Sequence, residues 1–171
     1  MHCHIFLVHS STRPLHAICL PVITSVSLTN FRNHAHLHLE TNAQMLAIVG
    51  PNGSGKTNVL EAISLFAPGR GMRGAETAEL QMQGEAGWGV QIETPEGVQL
   101  STGIAPPAQR RSILVNGAAA AQSDLKDYLT ILFLTPEDDF VLGAGTSSRR
   151  GLLDRFTGAL NENHSGRLQQ L

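Results

Sequence analysis

The chain has 171 residues, 42% of them apolar, with 14 acidic against 12 basic side chains and a formal charge of −2. That is one domain of ordinary size, or a piece of a larger one, with enough apolar residues for a core. The charge excludes a protein that coats nucleic acid by overall basicity and leaves room only for a local positive stripe. Cys3 and Cys19 do not make a disulfide framework for a domain this long, so a reducing, cytoplasmic setting is expected.

In chain order, residues 5–23 are fairly apolar, but no Lys or Arg precedes them and Arg13, Pro14 and His16 interrupt them. No clean cleavage site follows, and nothing approaches the roughly 18 apolar residues of a membrane span. No membrane partner is expected. Residues 1–20 read as a disordered extension ahead of a domain over 21–171. His2, Cys3 and His4 would offer a metal three ligands, with neither a fourth nor a scaffold to hold them.

From Pro21 the pattern becomes regular. "VITSVSLTNF" predicts a strand. "HAHLHLE" alternates strictly, with Ala35, Leu37 and Leu39 on one face and His34, His36 and His38 on the other. The histidine spacing would allow metal chelation, but a solvated outer face is the simpler reading. "MLAIV" predicts a strand buried on both sides. "KTNVLEAISLFA" places Val59, Leu60, Ile63 and Phe66 at helical spacing before Pro68 and Gly69. "WGVQIETPEGVQLSTGI" predicts a hairpin and "SILVNG" a further strand. "SDLKDYL" predicts a helix capped by Ser123, "TILFLTP" a buried strand, and "RRGLLDRFTGAL" a last helix with Leu152, Leu153, Phe156 and Leu160 on one face.

The stretch from Gly50 to Thr57, "GPNGSGKT", fits G-x-x-x-x-G-K-[ST], with a predicted strand before it and a helix after it. Gly50, Gly53 and Gly55 permit backbone angles that side chains forbid, so the chain can wrap a phosphate closely. Successive N–H groups then converge on its oxygens at the positive end of the helix. Gly50, Pro51, Asn52, Gly53, Ser54, Gly55, Lys56 and Thr57 are therefore the candidate cofactor site. Lys56 is expected on the β- and γ-phosphates of ATP and the Thr57 hydroxyl on Mg²⁺. The fold class expected is an α/β P-loop NTPase.

Four separated segments resemble the RecF family of bacterial DNA replication and repair proteins, within the SMC-like ABC-type ATPase heads. They are "LTNFRNHAHLHLE", "NGSGKTNVLEAISLFAPGRGMR", "LFLTPEDDFVLGAG" and "SSRRGLLDRF", in the right order. The resemblance runs from about residue 22 to at least 157. It implies an ABC-type head with an antiparallel β subsheet, binding of single-stranded and gapped DNA, nucleotide-dependent homodimerisation, and RecO and RecR partners that assist RecA loading. It also implies that Asn52 lies near the γ-phosphate and that the turn with Arg32 and Asn33 lies near the nucleotide. Arg70, Arg73, Arg149 and Arg150 are candidates for phosphate or DNA-backbone contacts, or equally surface partners of Glu76, Glu79 and Asp154. The alternatives are another SMC-like head or a P-loop kinase, and the strands flanking the loop argue against the kinase.

The same resemblance exposes a departure. Hydrolysis by such heads uses an apolar strand ending directly in Asp-Glu (the Walker B strand) and a Ser-Gly-Gly signature. Here "ILFL" is followed by Thr135 and Pro136, which displaces Glu137 and Asp138, and "GAGTSS" is not the signature. The chain reads as truncated before the Walker B strand. Nucleotide binding with little or no hydrolysis is the expectation, and no catalytic residue is assigned.

Overall fold

A computed structural model describes residues 4–8, 22–135, 138 and 146–160. Its elements in chain order are β1 (His4–Val8), β2 (Ser25–Phe31), β3 (His34–Glu40), α1 (Lys56–Ser64), β4 (Trp88–Glu93), β5 (Gln99–Ile104), β6 (Ser112–Val115), β7 (Ala118–Ala119), β8 (Thr130–Leu134) and α2 (Thr146–Leu160). Six strands form one antiparallel sheet in the order β3-β2-β4-β5-β6-β7, and β1 pairs antiparallel with β8 in a separate ribbon.

Period-two alternation builds the large sheet. Val26 and Leu28 of β2, Val90 and Ile92 of β4, and Leu100 of β5 are buried, and register aligns Val26 with Ile92 and Leu28 with Val90. Leu37 and Leu39 of β3 pack on this core. The alternation shifts at Asn30 (φ 49°), after which Phe31 is fully buried with its ring edge-on to Trp88 at a centroid distance of 5.5 Å. The β4–β5 hairpin turns through Thr94–Gly97, as its Pro-Glu-Gly signal predicts. Asn116 and Gly117 (φ 49° and 79°) make the tight turn from β6 to β7.

Helix α1 lies against this sheet and β8, burying Val59, Ala62 and Ile63, with Leu65, Phe66 and Ala67 buried just beyond it. Its C-terminal end is held by Arg111, which donates to the Leu65 carbonyl at 2.6 Å and to Thr102 Oγ1 at 2.7 Å. A cation at the negative end of a helix is favourably placed. Burial lowers the Arg111 pKa from its ordinary value.

Gly103 pairs with Gly89 across β5 and β4. A Cβ there would run into the Trp88 carbonyl oxygen and lie 2.9 Å from Gly89 Cα, both backbone atoms of the neighbouring strand. Gly103→Ala is therefore expected to cost about 1–3 kcal/mol through overpacking. A urea unfolding midpoint equal to that of the unsubstituted chain would contradict this packing.

Four expectations are corrected. Residues 45–49 form no strand: Met45, Leu46 and Val49 are exposed, and only Ile48 packs on the core. An apolar run signals burial, but a strand also needs a neighbour for its backbone groups, and none of the described strands pairs with it. Ser123 caps nothing; residues Gln122–Asp127 are a 3₁₀ helix whose flanking Ala121 N–H donates to the Asp124 carboxylate at 2.9 Å. On α2 Leu152 and Phe156 are half-buried while Leu153 is exposed. Within the stretch read as a disordered extension, His4–Val8 make a strand, because an apolar run can pair with the equally apolar β8. Cys3, Cys19, Glu137 and residues 143–145 lie outside the described residues. Asp138 is engaged locally, its carboxylate accepting from the Thr135 N–H at 2.7 Å.

Candidate phosphate-binding site

The chain leaves Val49 and curls through Gly50–Gly55 directly into α1. Gly53 and Gly55 are left-handed (φ 81° and 87°), conformations that L side chains rarely adopt. Ser54 N–H closes a turn on the Pro51 carbonyl at 3.3 Å. Gly55 is the residue before the first helical turn; it carries no side-chain cap, and the first turn holds no acidic residue. The positive end of α1 thus faces the loop without a carboxylate to neutralise it.

Lys56 folds back over this curl. Its ammonium donates to the Gly50 carbonyl at 2.8 Å and the Pro51 carbonyl at 2.6 Å, which holds a point charge across the loop. Gly50 to Ser54 and Thr57 are exposed, while Gly55 and Lys56 are half-buried. The arrangement is a positively polarised surface open to solvent, suited to a phosphate chain. Among the described residues no cluster of three or more His, Cys, Asp or Glu could hold a metal. Thr57 lies in the first turn of α1, and its hydroxyl could serve a magnesium ion, which commonly keeps several waters and would need few protein ligands.

The turn between β2 and β3 walls the loop from outside. Asn33 Nδ2 donates to the Gly53 carbonyl at 3.4 Å, and His34 Nε2 lies 3.2 Å from the Gly55 carbonyl. A Cβ on Gly55 would strike the His34 ring and lie 2.6 Å from Asn33 Oδ1. Gly55 is thus required for close approach as well as for its φ. His34, grouped with His36 and His38 by the sequence pattern, is instead half-buried on the loop, while the other two are exposed. His38 bonds Ser27 Oγ at 2.8 Å and the Glu40 carboxylate at 3.1 Å.

Behind the loop is a charge cluster that sequence reasoning missed. Glu61, 1% exposed, accepts from Arg32 Nε and Nη2 at 3.1 and 2.7 Å and from Arg73 Nη1 at 2.9 Å. The only signal for it was a lone acidic residue inside an apolar helical run. Arg32 also donates to the Glu79 carbonyl at 2.8 Å, so its side chain is spent on the helix and not on the loop. Arg73 reaches Asn58 Oδ1 at 3.1 Å, and Asn58 in turn donates to Asn33 at 2.7 Å. Arg70 pairs with Glu76 at 2.5 Å on the surface, one of the two readings the sequence left open. Arg149 and Arg150 are exposed on α2.

A glycine curl closing on a helix start, beside an antiparallel sheet, defines a P-loop ATPase head of the ABC type. A family model described as an AAA domain matches residues 25–86. The chain is 36% identical over 144 residues to the DNA replication and repair protein RecF of Rickettsia bellii, and 37% over 152 residues to that of Mesorhizobium japonicum. These matches cover 82% and 85% of this chain. The chain spans about 40% of the length of the curated relatives it matches. A solved structure of the recombination mediator protein RecF with ATPrS, in the RecFOR pathway, superposes with a TM-score of 0.69 at 26% identity. It covers 89% of this chain and 43% of the RecF chain. A second, of RecF with ATP, superposes with a TM-score of 0.68 at 24% identity and bears on the fold alone. These matches support the chain as a RecF-family fragment.

Proposed function

We propose that this chain is the ATP-binding part of a RecF-like DNA replication and repair protein. The observation that carries the reading is Lys56 held across the carbonyls of Gly50 and Pro51, at the uncapped start of α1. In this reading the amides of Gly53 to Thr57 and the Lys56 ammonium bind the β- and γ-phosphates of ATP. Pro51 and Asn52 form the outer lip of the curl, and the Thr57 hydroxyl is a ligand for Mg²⁺. The ion would supply positive charge that offsets the charge of the phosphates. The relatives are DNA replication and repair proteins and a recombination mediator of the RecFOR pathway, which supports a role in DNA replication and repair; single-stranded and gapped DNA, RecO and RecR partners and RecA loading belong to the same reading. Nucleotide-dependent homodimerisation and a cytoplasmic setting belong to the same reading. No helix among the described residues is long and apolar enough to cross a membrane.

The test is titration of the chain with a fluorescent ATP analogue, with and without magnesium. Saturable, magnesium-dependent binding displaced by unlabelled ATP is expected. A signal that neither saturates nor yields to ATP would contradict the proposal.

A further inference from the structure

Asn33 of the β2–β3 turn and His34, the first residue of β3, hold carbonyls of the loop from behind. Asn33 Nδ2 donates to Gly53 O, and His34 Nε2 lies at hydrogen-bond distance from Gly55 O. A trans peptide is planar, so its C=O and the following N–H point in opposite directions. Fixing the Gly53 carbonyl therefore fixes the direction of the Ser54 N–H. Fixing the Gly55 carbonyl fixes that of the Lys56 N–H, the first amide of α1. The Ser54 N–H closes the loop's own turn on the Pro51 carbonyl at 3.3 Å, and the Lys56 N–H lies at the start of α1, where an anion would sit.

The contact is tight. The missing Cβ of Gly55 is the space that Asn33 and His34 occupy, and Asn33 is itself braced by Asn58 Nδ2 at 2.7 Å, which Arg73 holds from the other side. The Gly55 carbonyl already accepts from Asn58 N–H at 2.9 Å and Val59 N–H at 3.2 Å as the start of the helix. His34 adds a third donor at that oxygen when its Nε2 carries the proton. A direct ring–carbonyl contact at a helix start is not needed for helix formation, since the backbone donors already satisfy the oxygen.

We propose that Asn33 and His34 are positioning residues of the nucleotide site: Asn33 holds the Gly53–Ser54 peptide in the turn closed on Pro51, His34 aims the Lys56 amide at the phosphates, and together they keep the loop preorganised before ligand arrives. This rests on the ATP-binding reading above. Preorganised donors bind more tightly because ordering them costs nothing at the moment of binding. Loss of either contact should leave the fold intact and loosen the loop.

The test compares Asn33→Ala, His34→Ala, His34→Gln and Lys56→Ala in the full chain. Glutamine carries an N–H donor the same number of bonds from Cβ as histidine Nε2, so it can restore the contact without the ring. Two quantities are read: the dissociation constant of a fluorescent ATP analogue with magnesium, and hydrogen exchange of the loop amides in nucleotide-free protein. Asn33→Ala and His34→Ala should each weaken binding about tenfold and speed exchange at Ser54 and Lys56, with the urea midpoint little changed. His34→Gln should return both readings toward those of the unsubstituted chain. Binding that is lost in Lys56→Ala but unaffected in Asn33→Ala and His34→Ala would overturn this proposal and leave the ATP reading standing. An unsubstituted chain that binds no analogue would overturn both. A weakened His34→Ala that His34→Gln does not rescue would assign the effect to ring packing and overturn the positioning role.

Discussion

Lys56→Ala should weaken ATP binding about a hundredfold while leaving the fold intact. The ammonium is the one full positive charge held across the curl, fixed by two carbonyls at 2.8 and 2.6 Å. Hydrogen bonds to charged groups contribute about 1.5–3 kcal/mol each, and every 1.4 kcal/mol is a tenfold change in affinity. Deleting the side chain would remove the contacts proposed to the phosphates while the loop's glycine geometry persists. The bonds it makes within the chain lie at an exposed surface, so thermal unfolding should move little. Lys56→Arg should not restore full affinity, since a planar guanidinium is a fork and not a compact point charge. Affinity within twofold of the unsubstituted chain for Lys56→Ala would mean that phosphate is held elsewhere.

Glu61→Ala should be the most destabilising single change near the site. The carboxylate is 1% exposed and accepts three hydrogen bonds from Arg32 and Arg73, which joins the β2–β3 turn, helix α1 and the segment around residue 73. Removing one partner of a buried charged cluster commonly costs about 3–5 kcal/mol. The two arginine side chains are 23% and 42% exposed and can regain water, so about 3 kcal/mol, the lower end, is expected. Glu61→Gln keeps the shape and one acceptor and should lose less. Denaturant unfolding decides it, and a midpoint for Glu61→Ala equal to that of the unsubstituted chain would remove the cluster from the account of stability.

What could be read from the residues was local. The hairpin at Thr94–Gly97, the alternation of β2 and β4 and the start of α1 at Lys56 depend on turn chemistry and periodicity within a few positions, and each is where the sequence predicts it. The curl from Gly50 into α1 was legible for the same reason, since its glycines and lysine are contiguous; that it binds phosphate is the proposal made above. Residues 45–49 failed because their apolar character says nothing about which strand would pair with them. His34 was grouped with two solvated histidines because alternation alone cannot see the shift at Asn30 or the loop that meets the turn. Glu61 was hidden because its partners come from 29 and 12 positions away in sequence. Arg32 illustrates the same limit from the other side: its neighbourhood was legible, but the direction of its side chain was not.

An amide NMR titration with ATP and magnesium tests the central claim most directly. The largest shifts are expected on Gly53 to Thr57, with those on β4 to β7 small. Shifts confined to the sheet, or none at the loop at saturating ATP, would contradict it.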